Sequence, residues 1–262
     1  MRIGFWQFRP RFGAAAHNLR QAREALSGVA ADLLVLPELA FTGYHFRDRA
    51  ELMALAEDPA ASPTVEGLSG LCRENGFHLV TGFAERKGDK VYNSALLIGP
   101  EGLVATYRKL HLFNTEKEFF DPGDLPLRVV EVAGARIGMM VCFDWAFPEV
   151  ARTLTLRGAQ VLCHPSNLVL SGYCQQAMLT RCLENRVYAV TANRFGADVR
   201  PHGTLRFTGR SQIVAPGGVL LVRAPAQRRR LEVVEIDPAT ADDKAITPRN
   251  DLLADRRPEF YA

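Results

Sequence analysis

The sequence predicts an α/β fold in which two β-sheets pack face to face between outer helices, a four-layer α-β-β-α sandwich. Three observations predict it. Short apolar runs alternate with amphipathic helical stretches from end to end. The alternation falls into two βα-rich halves with no shift in composition between them. No linker, low-complexity segment or repeat separates the halves, so residues 1–262 read as a single domain. At 262 residues, 47% of them hydrophobic, the chain can bury a large core.

The elements follow in order. Residues 2–8 form a strand, and the opening residues lack the basic, apolar and small-residue pattern of a secretory leader. Residues 14–28 place Leu19, Ala22 and Leu26 on one helical face. A short strand over 32–36 ends at Pro37, and a helix over 64–75 ends at Gly76, which tolerates a left-handed cap. Strands 77–84 and 90–98 pair across the turn Arg86-Lys87-Gly88-Asp89. Residues 102–108 extend the sheet, and the polar stretch 114–124 reads as a loop. The uncharged run 137–142 suits a strand buried on both faces, and Pro148-Glu149 opens a helix over 148–157. Strand 159–163, helix 173–185 and strand 186–192 come next. Strands over 204–208, 211–215, 218–222 and 231–236 complete the pattern, with Pro216-Gly217-Gly218 as a turn. In the tail, 251–262, Leu252, Leu253, Phe260 and Tyr261 stand among charges, the composition of a segment that docks on a surface.

Charge and cysteine usage narrow the function classes. Acids and bases are interleaved and the net charge is only +3. The one basic cluster, Arg228-Arg229-Arg230, opens an alternating strand, so a solvated edge is expected and no nucleic-acid partner. No apolar stretch is long enough to span a bilayer, so no membrane partner is expected. Five cysteines, an odd number without a leader, point to reduced thiols and a cytoplasmic protein. There is no CxxC, and Cys163-His164 are adjacent, poor geometry for sharing one ion, so no metal site is expected.

Three apolar strands end in chemistry. The first half presents Glu38 after Pro37 and Lys109 after residue 108; the second presents Cys142. Ligands of α/β sheets bind outside the carboxyl ends of strands. Cys142 would meet backbone N–H groups and the positive end of the following helix there, both favouring the thiolate. Taken alone, a cysteine is more often a core residue, and a single Glu or Lys a solvated charge. Together they form a hydrolytic set. Cys142 can attack a carboxamide carbon and form a thioester. Lys109 and the N–H of Phe143 can hold the oxyanion. Glu38, buried among Leu36, Pro37 and Leu39 and so raised in pKa, can shuttle the proton to departing ammonia.

The contexts of these residues resemble those of the nitrilase superfamily of carbon–nitrogen hydrolases. The matching segments are Pro37-Glu38-Leu39-Ala40-Phe41-Thr42-Gly43-Tyr44, Tyr107-Arg108-Lys109-Leu110-His111-Leu112-Phe113 and Cys142-Phe143-Asp144-Trp145-Ala146-Phe147-Pro148-Glu149. Arg181-Cys182-Leu183-Glu184-Asn185-Arg186, Ala192-Asn193-Arg194 and the tail from Asp255 to Tyr261 add to it, so the likeness covers essentially the whole chain. It implies the α-β-β-α sandwich, a Glu-Lys-Cys catalytic set, no cofactor, and a homodimer or larger homo-oligomer, where the tail would dock. It also implies a second active-site glutamate six residues before the proline of Pro122-Gly123, which is Glu116; Glu118 is the competitor.

The branch is less defined. Enzymes specialised for nitriles usually carry leucine where this chain has Glu149, which favours amides or N-carbamoyl amines. Amidases of oxo-acid amides show Ile-Arg where this chain has Trp145-Ala146. Tyr44, Phe143, Trp145 and Asn167 are expected at the pocket wall, with plain core aromatics as the alternative. The resulting expectation is a thiol-dependent hydrolase of small linear amides, with nitriles or N-carbamoyl amines as the next alternatives. A Cys–His protease would need His111 or His164 as base and leave Glu38 and Lys109 idle. An inactive oligomeric binding subunit on the same fold is the remote alternative.

Overall fold

The computed structural model describes residues 1–261. The first six-stranded sheet contains β1 (Arg2–Gln7), β2 (Leu33–Val35), β3 (His78–Lys87), β4 (Lys90–Gly99) and β5 (Gly102–Arg108). The second contains β6 (Val129–Val132), β7 (Ala135–Met139), β8 (Val161–Ser166) and β9 (Tyr188–Asn193). A separate hairpin, β10 (Phe195–Arg200) and β11 (Gly203–Thr208), follows. Then β12 (Gln212–Ala215) and β13 (Val219–Arg223) return to the second sheet, and β14 (Arg230–Glu235) to the first. The spatial orders are β14-β1-β2-β3-β4-β5 and β13-β12-β9-β8-β7-β6. The helices are α1 (Ala15–Leu26), α2 (Arg49–Leu55), α3 (Pro63–Asn75), α4 (Glu116–Phe119), α5 (Pro148–Leu156) and α6 (Tyr173–Asn185).

Strand alternation builds the four layers. Ile3, Phe5, Leu33 and Val35 face inward and share a core with Ile137, Met139, Val161 and Val190 of the second sheet. Trp6, Leu34, Leu79 and Leu96 face outward, against Ala22 and Leu26 of α1 and Leu68 and Leu71 of α3. On the far side Val150 and Leu154 of α5 and Met178 of α6 cover the second sheet. Local signals hold as the sequence suggests. Ser62 caps α3 by accepting from the Val65 N–H at 2.9 Å, Pro63 follows, and Gly76 closes the helix at φ +72°. The arginine cluster lies exposed at an edge strand.

Direction matters more for the site than layering. β1, β2 and β3 run parallel, as do β7, β8 and β9. Two antiparallel steps, β3 to β4 and β4 to β5, restore the original direction. The carboxyl ends of β2 and β5 therefore lie at one edge of the first sheet.

Some expectations need correction. Residues 114–124 are not all loop: Glu116–Phe119 forms one helical turn. The short helix α2, capped by Asp48, and strands β6 and β10 were not expected. The strand before Cys142 stops at Met139, and Cys142 opens a 3-10 turn over Cys142–Ala146 with φ +41°.

Candidate active site

Glu38 follows β2 in a tight crossing. Leu39 has φ +48°, and a Cβ on Gly82 of β3 would come within 2.2 Å of the Glu38 Cα. Only glycine at 82 lets the two chains approach so closely. The Glu38 carboxylate is fully buried. Its Oε1 accepts from Lys109 Nζ at 2.8 Å and from Asn93 Nδ2 at 2.7 Å. Its Oε2 has no partner among the described residues. Burial raises the Glu38 pKa above the usual 4.5, the Lys109 charge opposes that, and the Glu116 charge adds to it.

Lys109 follows β5. Its carbonyl accepts from the Gly123 N–H at 3.0 Å, and a Cβ on Gly123 would meet the Arg108 carbonyl oxygen at 2.3 Å. The Pro122-Gly123 pair thus packs on the lysine backbone. Nζ donates to Glu38 and to Glu116, each at 2.8 Å, leaving the third ammonium hydrogen available. Burial alone would lower the Lys109 pKa, but Glu116 and Glu38 outweigh it and raise it, so the ammonium stays charged. Glu116 opens α4, also accepts from Tyr44 Oη at 2.6 Å, and takes the Phe113 N–H at 3.0 Å on Oε2. It is buried, whereas Glu118 is exposed.

The turn carrying Cys142 is held from beneath by Asp144. That carboxylate accepts from Val141 N at 2.8 Å and Tyr107 Oη at 2.7 Å, and pairs with His111 Nδ1 at 2.8 Å. His164 Nε2 lies 2.9 Å from the Cys142 carbonyl oxygen, so it serves the backbone rather than the sulfur. Burial holds His164 down to about 4, keeping the ring neutral. Both histidines that a Cys–His pair would require are committed elsewhere.

The thiol corrects a further expectation. Burial and the Glu38 charge push the Cys142 pKa up, while Lys109 and the backbone N–H of Asn167 oppose without prevailing. The resting group is a neutral thiol, so a base must take its proton during attack.

Phe143, Trp145 and Asn167 line a recess over Cys142 of about 20 Å³. Tyr44 instead lines an adjoining cavity of about 270 Å³ with Glu116, Phe46 and Phe119; the two spaces share Phe113 and Val169. All eight residues singled out in the sequence therefore fall at one strand-end site. Asn93 and Asp144 were not anticipated there, and His164 was considered only as the base of a Cys–His pair. Asp144, a buried charge interrupting an apolar run two residues after the cysteine, was the one with a readable signal. Glu149, the sequence's amide-versus-nitrile marker, is exposed in the first turn of α5 and lines neither space. Among the described residues no group of three His, Cys, Asp or Glu is arranged to hold a metal.

Fold and site together define a class, the α-β-β-α hydrolases of carbon–nitrogen bonds. A family model described as carbon-nitrogen hydrolase matches residues 2–245, and the chain belongs to that family, within the nitrilase superfamily. It is 41% identical to a protein named nitrilase from Pyrococcus abyssi, covering 100% of this chain and 99% of that protein. It is 36% identical to an (R)-stereoselective amidase from Pseudomonas sp., covering 98% and 92%. Among solved structures, a variant of the amidase from Nesterenkonia sp. AN1 superposes with a TM-score of 0.81 at 28% identity, covering 99% of this chain and 97% of that one. That structure shows the product of Michael addition of acrylamide at the amidase's active-site cysteine.

Proposed function

We propose that this carbon–nitrogen hydrolase cleaves small linear amides through a thioester on Cys142, releasing ammonia. The observation that carries the reading is Glu38: a fully buried carboxylate with one oxygen on Lys109 and the other unpartnered, whose charge acts on the Cys142 thiol. Cys142 Sγ attacks the carbonyl carbon as its proton passes to Glu38 Oε2. The third Lys109 hydrogen and the Phe143 N–H receive the oxyanion. Glu38 then protonates the leaving nitrogen, the C–N bond breaks and ammonia departs. A water gives its proton to Glu38 and attacks the thioester; Glu38 returns that proton to sulfur as the acid leaves. Glu116 holds Lys109 in place and charged. The adduct at the active-site cysteine of the Nesterenkonia amidase supports the role given to Cys142.

The name of the Pyrococcus relative favours a second reading, nitrile hydrolysis, in which the same sulfur adds to a nitrile carbon and gives a thioimidate. N-carbamoyl amines are a third substrate class within reach, since plant relatives at 30% identity are named N-carbamoylputrescine amidases. Incubation with a panel of amides, N-carbamoyl amines and nitriles, with ammonia measured, separates them. Amides should turn over fastest; turnover of nitriles alone would overturn the amide reading.

The mechanism has a pH signature. Glu38 must be ionised to take the thiol proton, and its pKa is raised above 4.5. The amide kcat/KM is expected to fall on the acid side with one ionisation displaced above 4.5. In Glu38→Gln that limb should vanish along with most activity; an unchanged profile would contradict the base assignment.

The chain is proposed to act as one domain in a homo-oligomer. Tyr173 and Leu183 of α6 and Val219 of β13 are exposed, and Phe260 and Tyr261 of the tail are 70% and 58% exposed. The Gly218 turn abuts Leu179 and Leu183, so α6 and β13 form one apolar surface. Ala262, the last tail residue, lies outside the described residues. Removal of residues after Asp251 is expected to lower the mass seen by light scattering; an unchanged mass would exclude the tail from the interface. Five buried cysteines without disulfides support a reducing, cytoplasmic setting. No helix among the described residues is long and apolar enough to cross a membrane.

A further inference from the structure

Asn167 follows β8 and is only 2% exposed. Its Nδ2 donates to the Glu38 backbone carbonyl oxygen at 2.8 Å. A carbonyl oxygen needs a donor, so this bond fixes which end of the carboxamide is which. Oδ1 is left buried with no partner among the described residues, on a side chain that lines the recess over Cys142. Buried acceptors without donors are uncommon and costly, which makes their retention informative. The rest of the recess wall is Cys142, Phe113, Phe143, Trp145 and aliphatic side chains, and none of them, the Trp145 indole N–H included, donates to it.

The unpaired groups at the site form a pattern. Three buried acceptors stand open, Glu38 Oε2, Asn93 Oδ1 and Asn167 Oδ1, and of these only Asn167 belongs to a side chain lining the recess over Cys142. The donors available are the third Lys109 hydrogen and, beside the sulfur, the backbone N–H of Asn167. A primary carboxamide is the complement: one carbonyl oxygen to accept and an NH₂ with two hydrogens to donate. An ester or a nitrile supplies no N–H. Resting on the amide reading above, we infer that Asn167 Oδ1 accepts one N–H of the substrate's departing NH₂, making Asn167 the residue that selects primary carboxamides.

The experiment compares propionamide with methyl propionate, which would form the same propionyl thioester but carries no N–H. In Asn167→Leu, kcat/KM for propionamide is expected to fall about ten- to hundredfold. Methyl propionate loses only the Asn167 support of the Glu38 carbonyl and no bond to itself, so its fall should be at least about tenfold smaller than that for propionamide. Equal falls for both substrates would mean that Asn167 merely anchors Glu38, and would overturn the inference; so would an unchanged amide rate. If the variant does not fold, the native enzyme decides: kcat/KM for propionamide should match or exceed that for methyl propionate, although the ester has the better leaving group. A large ester preference would overturn the inference. Ester hydrolysis that disappears in Cys142→Ala would leave the thioester mechanism standing even then, so the two failures are distinguishable.

Discussion

Replacing Cys142 with alanine is expected to reduce ammonia release from amides by roughly 10⁴- to 10⁶-fold, the scale of losing a covalent nucleophile. The fold should survive. The side chain removed is one buried, neutral sulfur, and the turn that carries it is held by Asp144 and His164 through backbone atoms. Truncation of that size costs about 1 kcal/mol, a drop of a few degrees in Tm for a chain this long. No other cysteine can stand in. Cys72, Cys163, Cys174 and Cys182 are all buried, and burial is the one cause raising their pKa; Cys72 is pushed up to about 12. None has an ammonium or carboxylate acting on it, as Cys142 has. Ammonia assays and thermal unfolding on the same sample check both halves. Full turnover by the variant would remove Cys142 from the mechanism.

Lys109→Met is expected to damage stability as well as activity. It leaves Glu38 and Glu116 facing one another in the interior without their shared ammonium. Breaking a buried ion pair from one side costs about 3–5 kcal/mol. Loss of an oxyanion donor should separately lower kcat by about 10²–10³. The stability loss should depend on pH in a defined sense. Without Lys109, burial and the Glu116 charge raise the Glu38 pKa in the folded variant above the ordinary 4.5 with no ammonium to oppose them. The folded variant then binds more protons than the unfolded chain between 4.5 and the raised Glu38 value, so its stability falls as pH rises through that window. Relative to the native protein, the deficit should be largest near pH 8 and shrink as pH approaches 4.5. Adding Glu116→Gln should restore part of the stability and none of the activity. A deficit independent of pH, measured by denaturant titration, would contradict the buried cluster.

Glu38, Lys109 and Cys142 were legible because each interrupts or ends an apolar strand, where a charge or thiol has no packing reason to sit. Glu116 came from the family resemblance, which implies a glutamate six residues before the proline of Pro122-Gly123, and Gly123 is pressed against the Lys109 carbonyl, which ties that loop to the lysine. Other features depend on tertiary contacts that no local pattern encodes. The turn over Glu116–Phe119 is too short for helical periodicity, and its glutamate is held inward by Lys109 and Tyr44. Asn93 looks like an ordinary polar residue in an apolar strand until Glu38 is placed beside it. The thiol was expected to be acidic because a helix follows it; burial and the Glu38 charge reverse that. Glu149 shows the opposite limit, since it marks a branch in sequence yet is exposed and lines no part of the recess.

The central claim, an acyl group carried on the Cys142 sulfur, is tested most directly by trapping it. Enzyme mixed with excess propionamide, quenched in acid within the first turnovers and digested, should yield the Cys142 peptide with one propionyl group attached. The label should be absent in Cys142→Ala and lost on hydroxylamine treatment, as a thioester requires. A propionyl group on another residue, or ammonia release in the burst without any acylated peptide, would contradict the account.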